Sequence, residues 1–157
     1  MLSAKALDLA AIEAIRQAKA RYIRGVDEGD AALVRSILHP ECELDYRGCF
    51  IDPVTGHDFF PAMSIVLTGR DSFGSALVDL GIVSVHQVYP GEIELTGGTS
   101  ARAVFPMTDR LWFPTGGDWE WAQLTGYGHY RETWQRVEGE WLLGTTKVTR
   151  LRVEGSR

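Results

Sequence analysis

The sequence lacks the marks of many familiar chemistries. Only two of its 157 residues are cysteines, Cys42 and Cys49. That is too few for a disulfide framework, and no zinc-site spacing is present. The four histidines, His39, His57, His86 and His129, are scattered, with no H-E-x-x-H or H-x-H cluster, so no metal is expected. No glycine-rich phosphate loop follows a strand-like run, and there is no G-x-S-x-G. Nucleotide enzymes and serine hydrolases are therefore disfavoured, and no cofactor is expected. No apolar stretch approaches the roughly 18 residues that a membrane helix needs. Asp8 and Glu13 interrupt the apolar run near the start, which therefore does not read as a signal peptide. Basic runs are missing too. Sixteen Lys and Arg against 21 Asp and Glu leave a net charge of −5, so neither nucleic acid nor a membrane is the expected partner. A cytoplasmic location is the default expectation.

What is present reads as an ordinary folded chain. Hydrophobic residues make up 45% and charged residues 24%, which argues against disorder. The length suits one domain spanning residues 1–157, and such a domain buries about 70% of its unfolded surface. Ile12, Ile15, Tyr22, Ile23 and Val26 recur at helical spacing, with Glu13, Arg16, Gln17 and Arg24 opposite. Gly29 is a plausible stop, and Asp30 can cap a second helix over 31–38, ending before Pro40. Cys42, Leu44 and Tyr46 then alternate as in a strand. Residues 52–69 read as a loop or lid, and 71–80 as a third helix. From Val83 onward a meander of strands is expected at 83–89, 92–95, 100–113, 123–137 and 140–153, with Glu138-Gly139 as a hairpin turn. Helices first and antiparallel strands after give an α+β domain with helices on one face of a sheet.

Three side chains stand out from this pattern. Asp27 closes the first helix at the edge of its apolar stripe. The negative end of the helix dipole disfavours a carboxylate there, so something must compensate, and a histidine is the obvious candidate. The plain alternative is a solvated turn, D-E-G-D. Asp109 interrupts the apolar face Ala101, Ala103, Phe105, Met107, Leu111, Phe113. A buried carboxylate must be protonated, paired or lining a pocket, unless a bulge turns it outward. Arg150, expected to share a face with Leu142, Gly144, Thr146 and Val148, could lie beside Asp109, beside an anionic substrate, or in solvent. His86 alternates with Ser84 and Val88, and a lone histidine on a strand is more often structural than catalytic. Tyr22 and Tyr46 lie on apolar faces, where either suits ordinary core with a satisfied hydroxyl. Trp119 and Trp121 flank a glycine loop and suit either core or a pocket mouth.

The stretch D-L-A-A-I-E-A-I-R-Q-A-K-A-R-Y-I-R-G-V-D, ending at Asp27, resembles the opening helix of the SnoaL-like family. So does H-Y-R-E-T-W-Q-R-V-E-G-E-W-L-L, starting at His129. The resemblance implies the cone-shaped fold of the nuclear transport factor 2 and scytalone dehydratase superfamily, with helices packed on a curved, mostly antiparallel sheet around a pocket. The pattern is most similar to bile-acid 7α-dehydratases. Their catalytic tyrosine and aspartate fall on Tyr22 and Asp27, the histidine on His86 in V-H-Q-V-Y-P-G-E-I, a second aspartate on Asp109 in D-R-L-W-F, and an arginine on Arg150. L-D-Y-R, ending at Arg47, resembles I-D-Y-R of scytalone dehydratases, which makes Tyr46 a substrate-carbonyl contact. The serine and asparagine of those enzymes fall near Gly128 and Tyr130, and Tyr130 is taken as a further substrate contact.

The resemblance implies a dehydratase-like lyase, without cofactor, acting on a hydrophobic polycyclic or aromatic hydroxy-ketone. Asp27 would fix the tautomer of His86, the base. Tyr22 and Tyr46 would donate to an enolate oxygen. Asp109, partly protonated, would serve the leaving hydroxyl, and Arg150 would hold Asp109 or the substrate. The last two roles conflict, because a close arginine keeps Asp109 ionised. The alternatives are an isomerase or cyclase using the same base, and a non-catalytic binding or assembly module. The family also implies a homo-oligomer, either dimer or trimer.

Overall fold

A long amphipathic helix opens the computed structural model, which describes residues 3–157. Ser3 caps helix α1 (Ala4–Glu28) by accepting from the Ala6 amide at 3.2 Å. Gly29 ends it in the left-handed conformation, φ 70°, where a side chain would be strained. The stripe Ile15, Ala18, Tyr22 and Ile23 is buried, as its spacing predicts. Asp30 caps α2 (Ala31–Ile37) by accepting from the Leu33 amide at 2.9 Å.

The remainder builds one curved, unclosed sheet, of seven strands among the described residues. These are β1 (Leu38–Asp45), β2 (Val66–Thr68), β3 (Val83–Val88), β4 (Glu92–Gly97), β5 (Ser100–Trp112), β6 (Gln123–Val137) and β7 (Glu140–Ser156). The order is β2-β1-β7-β6-β5-β3, with β4 also on β5. Only the β1–β7 pair is parallel. The β6–β7 hairpin turns at Glu138 and Gly139, with φ 50° and 89°, as the Glu-Gly pair predicts.

The structure differs from the sequence reading in four places. The strand expected from Cys42 starts at Leu38 and runs through Pro40. The β1–β7 register shifts between Leu38 and Glu43, so Pro40 lies where the ladder is irregular and its missing N–H costs little. The loop over 52–69 contains a short edge strand, β2. The helix expected over 71–80 is broken into a 3-10 turn, Arg70–Ser72, and a single-turn helix, α3 (Ala76–Asp79). Phe73 between them is extended, φ −74° and ψ 126°, which ends the first turn. Finally, β7 bulges twice. Trp134 pairs with Leu143 but Thr133 with Thr145. Tyr127 pairs with Arg152 but Gly128 with Arg150. Gly144 and Leu151 are the extra residues, and each bulge flips the alternation. Thr146, Val148 and Arg150 therefore share the inner face with Leu143, not with Leu142.

Trp134 and Trp141 are core. Trp119 packs on Phe113 at 4.9 Å between ring centres and Trp121 on Phe59 at 5.0 Å. Both hold the 51–60 segment against the strands, and neither lines the internal cavity. Among the described residues no helix is long and apolar enough to cross a membrane.

Candidate functional site

Asp27 lies in the last turn of α1, and β3 passes beside it. The helix end disfavours its charge, and β3 supplies the compensation. The His86 amide donates to Oδ2 at 2.9 Å, the Ser84 hydroxyl donates to Oδ1 at 3.0 Å, and His86 Nδ1 lies 2.5 Å from Oδ1. Three contacts from one strand fix both carboxylate oxygens. They also fix the ring, because a carboxylate at Nδ1 requires the hydrogen there and leaves Nε2 free as acceptor. Nε2 points across β3–β5, where His86 and Asp109 are directly paired, and lies 4.0 Å from Asp109 Oδ2.

Asp109 faces inward, 2% exposed, as the apolar alternation of β5 predicts. Its partner is Arg150, whose two terminal nitrogens donate to Oδ1 at 2.7 Å and Oδ2 at 2.9 Å. Arg150 Nε donates to the Cys49 carbonyl. This decides between the conflicting roles. Burial alone would raise the Asp109 carboxyl, but the guanidinium charge and its two hydrogen bonds outweigh burial and hold it below the usual carboxylate range. Asp109 is therefore ionised, and the expectation of a partly protonated acid is corrected. Arg150 pairs with Asp109 and the Cys49 carbonyl while also lining the cavity.

Gly126 makes room for this pair. It stands opposite Asp109 on β6, and a Cβ there would collide with both the Asp109 carboxylate and the Arg150 guanidinium. Its signal in the sequence was a glycine inside a strand, T-G-Y-G-H.

Tyr22 and Tyr46 meet through their hydroxyls at 2.9 Å. Burial pushes Tyr22 well above the ordinary phenol value and Tyr46 up to about 12, so both remain protonated donors. Tyr130 is likewise buried and raised.

These groups share one cavity of about 300 Å³, into which His86, Asp109, Arg150, Tyr22, Tyr46 and Tyr130 all project. The remaining wall is mostly apolar, formed by Phe50, Met107, Leu111 and Val148 with the 72–79 segment. The Cys49 thiol also lines it, and burial pushes that thiol up to about 12, too high for a nucleophile at neutral pH. All seven site residues expected from the sequence thus meet around one hollow, Asp27 through its contact with His86. Among the described residues no three of His, Cys, Asp and Glu are grouped to hold a metal ion.

Sequence reasoning missed Ser84 and the buried pair Lys19–Glu132. Ser84 shares the inward face of β3 with His86. Lys19 falls on the stripe of Ile15, Tyr22 and Ile23. Glu132 interrupts the apolar inner face of β6 between Tyr130 and Trp134, the same signal that exposed Asp109.

The comparisons agree with this architecture. The model of the SnoaL-like domain matches residues 7–147. The chain belongs to the SnoaL-like family. No curated protein matches the sequence. Solved structures match across almost its whole length at low identity. A Novosphingobium aromaticivorans protein provisionally named a scytalone dehydratase has a TM-score of 0.74 at 16% identity, covering 98% of this chain and 92% of its own. A second protein from that organism, provisionally named an aromatic ring hydroxylase, has a TM-score of 0.74 at 14% identity, covering 94% of each chain. A hexachlorocyclohexane dehydrochlorinase from Novosphingobium barchaimii has a TM-score of 0.69 at 13% identity, covering 97% of this chain and 94% of its own. At these identities the likeness establishes the fold alone.

Proposed function

We propose that this SnoaL-like protein is a dehydratase-like lyase for a hydrophobic aromatic or polycyclic hydroxy-ketone, working by histidine acid–base chemistry. The observation that carries the reading is the Asp27–His86 contact of 2.5 Å at the edge of a largely apolar pocket. His86 Nε2 takes a proton from the carbon next to the carbonyl. Asp27 at Nδ1 and Asp109 beyond Nε2 both favour the imidazolium that forms. The Tyr22–Tyr46 pair donates to the enolate oxygen. The enolate then re-forms its carbonyl, the carbon–oxygen bond to the hydroxyl breaks, and the imidazolium returns its proton to the departing hydroxyl as water. One C–H and one C–O bond are lost, one C=C bond is gained, and His86 ends as it began. The step needs nothing beyond these side chains. A cavity of about 300 Å³ is at the small end of ligand pockets and favours substrates of one to three fused rings.

The test is a screen of aromatic and polycyclic β-hydroxy-ketones with the wild type beside His86→Ala and Asp27→Asn. A loss of about 10²–10⁴ in kcat is expected for His86→Ala. Turnover that survives both substitutions overturns the base assignment. Product analysis separates water loss from isomerisation or cyclisation, which the same base and phenols also support.

A further inference from the structure

Behind the cavity wall lies a charged pair that the proposed reaction does not use. Lys19 of α1 and Glu132 of β6 are both buried, and the ammonium pairs with Glu132 Oε1. Burial lowers the Lys19 ammonium below its usual value, against the opposing pull of Glu132. Two hydrophobic side chains of similar volume would fill the space without desolvating two charges, so packing alone does not account for the pair.

Its orientation is one-sided. Glu132 is tied back by the Trp134 indole N–H at 3.0 Å and the Thr146 hydroxyl at 3.4 Å. The ammonium points at aromatic faces, 3.5 Å from the ring centre of Tyr130, 4.9 Å from that of Tyr22 and 5.6 Å from that of Phe105. Two of these three rings belong to phenols that line the cavity. A cation on a ring face attracts the π electrons. Density drawn toward the ring leaves the phenol oxygen poorer and its O–H a stronger donor.

We infer that Lys19, anchored by Glu132, is a positioning residue that clamps the Tyr22 and Tyr130 rings and polarises their hydroxyls toward negative charge on a ligand oxygen in the cavity. The inference rests on the reading of Tyr22 as the enolate's partner. The charged and titratable groups around these phenols are Tyr46, Glu132, Asp109 and Arg150. Burial keeps both phenols protonated, so the ammonium acts on donor strength and not on ionisation. The site as a whole should prefer an anionic oxygen over a neutral one by more than two isolated phenols would.

The test replaces both charges together, so that neither is left alone. The full chain carrying Lys19→Met/Glu132→Leu is compared with wild type, with Lys19→Met/Glu132→Gln as a second variant that keeps a partner for Trp134 and Thr146. Tyrosines labelled with ¹³C at Cζ report phenol electronics without any ligand. The Tyr22 and Tyr130 resonances should shift while those of Tyr89 and Tyr127 stay in place. Binding is measured with two probes of nearly equal size, 4-nitrophenolate and neutral nitrobenzene. Affinity for 4-nitrophenolate should fall about three- to tenfold, the range of a partly desolvated cation–π contact, with nitrobenzene unchanged. Equal weakening of both probes would mean a purely structural role and overturn the inference, as would unmoved Tyr22 and Tyr130 resonances. Tyr22→Phe separates the two readings. If that variant binds 4-nitrophenolate no worse than wild type while the Tyr130 resonance and the affinity still respond to the ion pair, the enolate role of Tyr22 fails and the inference stands for Tyr130 alone. If the ion pair then has no effect on affinity, the inference falls with it.

Discussion

Asp109 and Arg150 share two hydrogen bonds almost out of reach of water, and neither partner is stable there alone. Removing one leaves an uncompensated buried charge. Arg150→Met is expected to cost about 3–5 kcal/mol in urea unfolding, whereas Arg150→Met/Asp109→Leu costs much less. The same pair sets a pH signature. An aspartate in an unfolded chain titrates near about 3.9, and Asp109 is held below that in the fold. A depressed native value adds stability that is complete above the unfolded value and is lost as pH falls through the native one. The stability gap between wild type and Asp109→Asn should therefore be constant from neutrality down to about pH 5 and narrow at more acid pH. A gap that instead widens as pH falls from neutrality toward about 4 would show that Asp109 is protonated in the fold, because the proton would then be lost only on unfolding. At this scale much of the site was legible. A carboxylate on an apolar strand face is costly unless paired, and that argument found Asp109. It applies equally to Glu132, between Tyr130 and Trp134. The Asp27–His86 contact is different. The two residues are 59 positions apart on a helix and a strand, no local period links them, and only the resemblance to the SnoaL-like family brought them together.

Among the elements, the segment from 51 to 69 had no period to read, and a buried aspartate anchors it. Asp52 Oδ1 accepts from the Val153 amide at 3.2 Å. Oδ2 accepts from the Thr55 amide at 3.0 Å, the Thr55 hydroxyl at 2.8 Å and Arg152 at 3.3 Å. Polar contacts of this kind follow from one side chain meeting a distant strand, so apolar alternation does not reveal them. Asp52→Ala should cost about 1–3 kcal/mol, since it strands the buried Val153 amide. Amide hydrogen exchange should accelerate over residues 52–60 and remain slow in β5 and β6. Uniform acceleration would mean that the segment is not an independently opening unit. The long strands were legible because each of them, 13 to 17 residues in length, carries several alternating stretches. Three-residue β2 is too short for a period. The bulges at Gly144 and Leu151 reverse the alternation within β7, and for that reason the predicted face of Arg150 was right at Val148 and wrong at Leu142.

For the whole molecule, the hollow and the core compete for the same space. A chain of this length could close its core completely, yet about 300 Å³ is left open under apolar walls. Apolar wall left facing that space forfeits the burial it would gain in a filled core, about 25 cal/mol per Å². An unfilled hollow is therefore a stability cost that binding offsets. A ligand at a hundred times its Kd should add about 2.7 kcal/mol and raise Tm accordingly. Filling the cavity from its own wall should act in the same direction without ligand. Val148→Phe places extra carbons in the cavity that Val148 lines, and is expected to hold or raise Tm while abolishing the thermal shift given by aromatic hydroxy-ketones. His86→Ala and Asp27→Asn should retain that shift while losing turnover, because the apolar walls bind and the dyad reacts. If Val148→Phe keeps both the shift and the turnover, ligand binds elsewhere, and the cavity is a packing defect of the cone with no part in its chemistry.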